Sequence, residues 1–332
     1  MNTITLSNTD LVVSRLCFGC WGIVSDAHWG DRQRDDSLAA MNKAIELGVN
    51  FFDTAPVYGN GASEELLGDF LVQHPRTDVI VASKVPPSMM KPEDVIKACE
   101  DSLQRLQREV IDLYQTHWTD PNVPIEETWQ AMLELQQQGK VRHIGVCNAG
   151  PTDLTRFGSV QKVVTNQLPF NLLWRAIEFE IQPRCSEEGI GILAYSPLMH
   201  GILGNRYQAA DEVPDGRART RHFHHRRDQT RHGEDGCEAL TFETLRKIRE
   251  LAARIGQSVT ELALAWVLAQ DRLDVVIAGA RDAEQLRTNV QSLELELSSE
   301  VFAELSEMTN ALKAELGRNV DMWDGSGNGR IR

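Results

Sequence analysis

The chain is predicted to fold as a closed α/β barrel of eight parallel strands, each followed by a helix, a (β/α)8 TIM barrel. Three features of the sequence lead there. Eight short apolar runs alternate with longer amphipathic runs along the chain. The intervening runs have helical length, and strands alternating with helices imply a parallel sheet. Neither an internal repeat beyond this alternation nor a domain-sized linker interrupts it, so residues 1–332 read as a single barrel domain.

The opening TITLSNTDLVV (3–13) has two short runs around Asn8-Thr9-Asp10 and reads as a hairpin ahead of the barrel. RLCFGC (15–20) and VNFFDT (49–54) read as the first two barrel strands, with DDSLAAMNKAIELG (35–48) as the helix between them. SEELLGDFLVQH (63–74) then leads to VIVASK (79–84), and KPEDVIKACEDSLQRLQ (91–107) to VIDLYQTH (110–117). Pro92 sits near the start of that last helix and is followed by Glu93 and Asp94, which suit a first turn. IEETWQAMLELQQQGK (125–140) precedes VRHIGVCN (141–148), PTDLTRFGS (151–159) precedes VVTNQ (163–167), and AIEFEIQPRCSEEG (176–189) precedes IGILAYS (190–196). Gly48, Gly139 and Gly189 stand where helices should stop. Two helical segments, roughly 238–255 and 259–269, come before the eighth strand, DVVIAGA (274–280), and DAEQLRTNVQSL (282–293) follows it. The polar stretch 205–237 reads as an extended loop after the seventh strand, and the Gly-rich tail DGSGNGR (324–330) as flexible.

A net charge of -14, from 34 basic and 48 acidic residues, speaks against nucleic acid or an anionic membrane as the main partner, since both need a positive footprint. The balance fits a small-molecule task. The six cysteines are dispersed, and a chain this large builds its core without disulfides, so reduced, mostly buried thiols are expected. Cys17 and Cys20 form a C-F-G-C pair, but no second pair completes a zinc set. The N-terminus MNTITLSNTD has neither the charge nor the apolar run of a signal peptide, and no run approaches membrane-spanning length; a cytoplasmic location is expected.

Sites in such barrels form at the carboxyl ends of the strands. Asp53, Lys84 and His117 end the second, third and fourth strands, and Tyr58 lies in the loop after the second. A tyrosine is a weak acid at neutral pH. A neighbouring ammonium is expected to lower its pKa, and an aspartate to hold that ammonium charged and oriented. A histidine serves the same oxygen as the phenol. Such a set protonates a carbonyl oxygen while hydride arrives at carbon. Taken singly, each residue also reads as a solvated rim group or a structural ion pair.

With FFDTAPVYGNG, VIVASK, DLYQTHW, IGVCN, NQLPFN, LAYSPL and GARDAEQL in this order, the chain from about residue 10 to about 292 resembles an aldo-keto reductase. The resemblance implies a catalytic tetrad of Asp53, Tyr58, Lys84 and His117, with Tyr58 as general acid, Lys84 and Asp53 tuning it, and His117 orienting the carbonyl. It also implies a nicotinamide cofactor lying extended across the barrel top. Asn148 and Gln167 would hold the carboxamide and Tyr195 would stack on the nicotinamide. Ser196, Leu198 and Gly201 would follow the pyrophosphate, and Gly279, Gln285 and Asn289 the adenosine end. No G-x-G-x-x-G follows the first strand, so a Rossmann site is not expected. Arg281 is suited to a 2′-phosphate, which favours NADP(H) over NAD(H), although Asp282 beside it opposes this; an exposed arginine is the alternative. Cys147, whose thiol is a poorer hydrogen-bond donor, stands where the family usually has serine, and Phe170 where tyrosine is frequent.

Trp21, Trp118 and Trp323 are candidate pocket walls, Trp21 belonging to both the cofactor and the substrate sets; Trp29 and His28 share its loop. The Arg/His-rich segment 217–232 reads as a nucleic-acid patch, a metal site, a lid over cofactor or anionic substrate, or a solvated loop; the acidic balance disfavours the first, and His222, His224 and His225 form no evident ligand set. An NADPH-dependent reductase of aldehydes, ketones or sugar carbonyls is the leading function. The alternatives are a nucleotide-binding regulatory subunit, as in channel-associated relatives of the family, and a metal-dependent isomerase, for which Asp53 with His117 supplies too few ligands.

Overall fold

The computed structural model describes residues 1–26, 28–75, 78–325 and 330–332. Most of the tail expected to be flexible, residues 326–329, lies outside them. Strands β1 (Thr3–Thr5) and β2 (Val12–Ser14) pair antiparallel, with Thr3 opposite Ser14. The barrel strands are β3 (Leu16–Gly19), β4 (Phe51–Asp53), β5 (Ile80–Val85), β6 (Ile111–Thr116), β7 (Val141–Cys147), β8 (Thr165–Pro169), β9 (Gly191–Tyr195) and β10 (Leu273–Ala278). They close as 10-3-4-5-6-7-8-9, all parallel. The expected eight-stranded barrel is therefore present.

Alternation along each strand sorts side chains between the barrel interior and the helix layer. Phe51, Ala82, Leu113, Leu193 and Val275 form one interior cluster, and Leu6, Leu11 and Val13 of the hairpin join it. The hairpin thus closes the amino-terminal end, leaving the carboxyl end for the site. Phe52 points the other way, with its ring 5.4 Å from Phe18 and 6.3 Å from Phe70.

Eleven helices occur among the described residues: α1 (Arg34–Glu46), α2 (Ala62–Gln73), α3 (Pro92–Leu106), α4 (Ile125–Gln137), α5 (Pro151–Val160), α6 (Ile181–Glu188), α7 (Glu238–Ile255), α8 (Val259–Leu268), α9 (Ala283–Gln291), α10 (Ser299–Met308) and α11 (Asn310–Leu316). In α3, Pro92 occupies the first turn with Glu93 and Asp94, and Val95, Ala98, Cys99, Ser102 and Leu106 make the buried stripe. Gly48 and Gly139 follow α1 and α4 at φ of 82° and 73°, a conformation glycine adopts without steric cost.

Two expectations need correction. The run 176–189 is not one helix: a 3-10 turn, Ala176–Phe179, ends at Glu180, whose φ of -143° breaks the helix, and α6 restarts with Pro183 in its first turn. Helices α10 and α11 were not expected at all. Their buried residues are Leu305, Leu312 and Leu316, and in α10 Val301, Phe302 and Met308 join Leu305 at helical spacing and pack on the core, a pattern the sequence did carry.

One buried charge ties the second and third helices to the barrel. Glu64, fully buried, accepts from Ser83 Oγ at 2.5 Å and from Arg105 Nε at 2.7 Å. Arg105→Met leaves that carboxylate buried without its cation, and is expected to lower unfolding free energy by about 3 kcal/mol. Urea denaturation of the purified variant reads this directly; a midpoint equal to wild type would show that Glu64 needs no counter-charge.

Candidate active site

The apolar interior layer of Phe51, Ala82 and Leu113 gives way, one pleat higher, to Asp53, Lys84 and Gln115, with Gln167 contributed by β8. Asp53 pairs with Ala82 and Lys84 with Gln115 in strand register. Lys84, fully buried, spends its three protons on Asp53 Oδ1 at 2.7 Å, the Thr54 carbonyl at 2.9 Å and Tyr58 Oη at 3.2 Å. The other oxygen of Asp53 accepts from Gln167 Nε2 at 2.8 Å and Gln115 Nε2 at 3.5 Å. Gln115 was missed by sequence reasoning. Its signal was a polar residue at an inward position of an otherwise apolar strand.

Tyr58 opens the 3-10 turn Tyr58–Gly61. A Cβ on Gly59 would lie 2.8 Å from Val24 Cγ2 and one on Gly61 2.9 Å from Arg105 Cδ, both at positive φ, so the Y-G-N-G sequence is what lets the turn close and aim the phenol inward. His117 directly follows β6, with its ring 6.0 Å from that of Tyr58 and nearly perpendicular. Its Nδ1 is buried without a partner. Asn148 Nδ2 donates to the His117 carbonyl at 3.0 Å, and Tyr195 Oη donates to Asn148 Oδ1 at 2.9 Å.

Electrostatics refine the expected tuning. Burial works to lower the Lys84 pKa, but the Asp53 and Tyr58 oxygens outweigh it and hold it above the ordinary lysine value. Tyr58 is pushed up to about 12 by burial, against the downward pull of Lys84. The lysine acts in the expected direction, yet the net shift is upward, because desolvation of a phenolate costs more than one shared ammonium returns. Tyr58 is itself half-buried and lines the cavity. His117 is driven well below 6.5 by burial, reinforced by the charges of Lys84 and Arg330.

These groups open onto a cavity of about 590 Å³ that continues across the barrel top. Asp53, Tyr58 and His117 line one end, with Lys84 enclosed behind them. Every residue expected at a cofactor lines the same cavity: Trp21, Asn148, Gln167, Tyr195, Ser196, Leu198, Gly201, Gly279, Arg281, Gln285 and Asn289. Trp118 and Trp323 line it too, as does Trp29. Gly201 has a φ of 94° within the turn Met199–Gly204, which brings backbone to the cavity wall. The Asp282 carboxylate caps α9, accepting from Gln285 N at 2.8 Å and Gln285 Nε2 at 3.0 Å. Its charge is thus committed to the helix, which weakens the objection to an anion beside Arg281. A cavity across the barrel top lined by both a titratable cluster and several arginines fits a dinucleotide.

Cys147 is buried and absent from the described cavity lining, so its thiol takes no direct part in the wall. Phe170 packs 5.4 Å from Trp266 in the core. All six cysteines are free. Burial holds the Cys17 and Cys20 thiols well above 9.0, the opposite of a reactive pair.

The segment 217–232 divides residue by residue. Arg217, Arg219, Gln229 and Arg231 line the cavity. Arg221 pairs with Glu234 at 2.8 Å and bonds the Leu316 and Asn319 carbonyls, tying the loop to the C-terminal part. His222 is buried with Nε2 2.9 Å from the Leu173 carbonyl. His224 and His225, contrary to the sequence reading, do meet a third group: they and Asp235 bring ligand-type atoms within 4.8 Å of one another. Asp235 is exposed and His225 Nδ1 already lies 3.2 Å from the Glu234 carbonyl. His200, Arg206 and Arg330 also line the cavity and carried no local signal. Among the described residues no helix is long and apolar enough to cross a membrane.

The buried polar cluster and the cavity it opens onto lie together at the carboxyl end of the barrel. Residues 15–310 match the aldo/keto reductase family. A protein of Glycine max, "Probable aldo-keto reductase 1", is 34% identical over 313 residues, covering 92% of this chain and 88% of the relative. The NADH-specific methylglyoxal reductase of Escherichia coli is 31% identical over 335 residues, covering 94% of this chain and all, 100%, of that protein. The crystal structure of an aldo-keto reductase from Klebsiella pneumoniae in complex with NADPH superposes with a TM-score of 0.73 at 27% identity, covering 93% of this chain and 95% of that one. The chain belongs to the aldo/keto reductase family and is an NAD(P)H-dependent oxidoreductase acting on carbonyl groups.

Because His117 is held neutral, its imidazole signals in a histidine NMR pH titration are expected to stay at their neutral positions as pH falls through 6.5. A normal titration centred near that value would show a solvated ring instead.

Proposed function

We propose that the protein reduces an aldehyde, ketone or open-chain sugar carbonyl to the alcohol, reversibly, with NADP(H) as preferred cofactor and NAD(H) as an accepted one. The observation that carries this is the triple commitment of Lys84 to Asp53, Thr54 and Tyr58 at the cavity floor. When bound, the nicotinamide supplies the hydride to the carbonyl carbon. Tyr58 gives its phenolic proton to the carbonyl oxygen. Lys84, 3.2 Å from that phenol, stabilises the phenolate left behind, and Asp53 keeps the lysine charged and in place. Neutral His117 directs a ring nitrogen to the same oxygen and orients the carbonyl. In the alcohol-to-carbonyl direction the same phenol takes the proton back.

Asn148 and Gln167 face the carboxamide, and Tyr195 the nicotinamide ring. Ser196, Leu198 and Gly201 follow the pyrophosphate, with Gly279, Gln285 and Asn289 at the adenosine end. Arg281, whose neighbour Asp282 is occupied as a helix cap, receives the 2′-phosphate. A relative named as NADH-specific and a neighbour holding NADPH bracket the two cofactors. Trp21, Trp118 and Trp323 wall the substrate end.

Tyr58→Phe removes the proton donor and leaves the ring. Turnover of NADPH with a small aldehyde panel is expected to fall on the order of 10²- to 10⁴-fold, while NADPH still quenches the protein's tryptophan fluorescence. Equal turnover in variant and wild type would remove Tyr58 from the chemistry.

A further inference from the structure

The cavity is strongly cationic in a chain of net charge -14. Six arginines line it, Arg206, Arg217, Arg219, Arg231, Arg281 and Arg330, and Asp53 is the sole acid among the described lining residues. Asp53 is already neutralised by Lys84. A cleft with this imbalance concentrates anions.

The arginines separate by position. Arg281 belongs to the adenosine end. Arg206 and Arg217 flank the phosphate turn: a Cβ on Gly201 would lie 3.9 Å from Arg206 Cδ and 3.8 Å from Arg217 Nη1. Arg330 is paired with Asp321 at 2.8 Å and Asp324 at 2.9 Å, and Arg231 stands 3.8 Å from Asp324. Arg219 remains, and it stands where the first barrel loop meets the phosphate turn, since the His28 ring it bonds lies 4.7 Å from that of His200. Its Nη2 donates to His28 Nδ1 at 2.5 Å. The His28 ring stacks on Trp21 at 4.5 Å, and Trp21 stacks on Tyr58 at 5.9 Å. Arg219 has no acidic partner among the described residues, and its Nε is buried with no hydrogen bond. The nearest acid, Asp26, is committed to Trp21 Nε1 at 2.7 Å and to the backbone of His28 at 2.9 Å and Trp29 at 2.6 Å. His28 accepts rather than donates at Nδ1, so it adds no charge of its own; burial, with His200 and Arg219 nearby, drives its pKa far below 6.5.

We infer that the carbonyl substrate carries an anionic group, carboxylate or phosphate, several bonds from the carbonyl, and that Arg219 holds it. The inference rests on the proposed carbonyl reduction at Tyr58. With Arg206, Arg217 and Arg281 assigned to the cofactor's anionic groups, Arg219 is the arginine bonded to the Tyr58–Trp21–His28 stack and is left for a second anion there. A guanidinium anchored through one Nη keeps its other Nη for a charge-assisted bond to such a group.

Two matched pairs test this in the NADPH-loaded enzyme: D-glyceraldehyde 3-phosphate against D-glyceraldehyde, and 4-carboxybenzaldehyde against its methyl ester. Wild type is expected to favour the anion of at least one pair in kcat/KM, on the order of 10- to 100-fold; the favoured pair distinguishes phosphate from carboxylate. Arg219→Gln should bring that ratio close to one, and Arg219→Lys should restore part of it. Absence of preference in wild type, or a preference that survives Arg219→Gln, overturns the inference. So does an effect confined to the Kd of NADPH, which would place Arg219 with the cofactor. Failure of the reductase reading looks different: no aldehyde turns over. In that case 4-(hydroxymethyl)benzoate and its methyl ester are titrated into NADP⁺-loaded protein. Binding of the anion alone, lost in Arg219→Gln, supports the site, and no binding at millimolar concentration rejects it.

Discussion

The Lys84–Asp53 pair is the constraint around which the mouth of the barrel is arranged. Both groups are almost completely enclosed, with side-chain exposures of 0% and 3%. Taking two ions out of water costs several kcal/mol each, and their attraction offsets this only when the remaining hydrogen-bonding capacity is met. Here it is met from several elements. Thr54 and Tyr58 take the other lysine protons, and Gln167 with Gln115 covers the second aspartate oxygen. The network therefore links β4, β5, β6 and β8, and any slip in their register would strand a charge in a dry layer. The same enclosure sets the chemistry: it keeps the lysine charged, the histidine neutral and the phenol protonated.

A second arrangement leaves the barrel open at one end only. The hairpin places Leu6, Leu11 and Val13 against the interior apolar layer. At the other end the chain returns. Asp321, fully buried, bonds Arg330 and the backbone of Trp323 and Asp324. Arg330 lies 3.7 Å over Trp118, and Trp323 lies parallel to Tyr195 at 6.1 Å. The carbonyl of Arg332 accepts from Asp153 N at 3.0 Å, pinning the last residue to the first turn of α5. Tail and barrel thus form one wall of the cavity.

Charge is distributed unevenly in a way the total hides. Many of the acids are spent on surface pairs such as Arg34–Asp69 and Arg156–Glu126, on an exposed helix cap at Asp282, or on a buried clasp at Asp321. The loop 205–237, in contrast, turns several arginines toward the cavity. A cationic cleft in an acidic protein draws small anions to one place.

The barrel was legible because its determinants are local. Strand-length apolar runs, helix-length amphipathic runs and glycine stops each depend on neighbours within a few residues. The candidate site was legible to the same extent, since Asp53, Lys84, His117 and Tyr58 sit at strand ends whose position follows from the strands themselves. Helices α10 and α11 were not, although Val301, Phe302, Leu305 and Met308 keep helical spacing, because they follow the last barrel unit and fall outside the strand–helix alternation. Gln115 was hidden in a strand, and His200, Arg330 and the tail clasp had no nearby pattern, since each is defined by a partner far along the chain. The expected fall in the Tyr58 pKa came from counting charges in sequence; its rise comes from burial, which is a property of the assembled site. Residue order alone determined the barrel and the chemical types at its mouth, because both follow from short-range periodicity. Only the tertiary structure decided which arginines line the cavity and how strongly each proton is held, because those depend on distances and enclosure set by residues far apart in the chain.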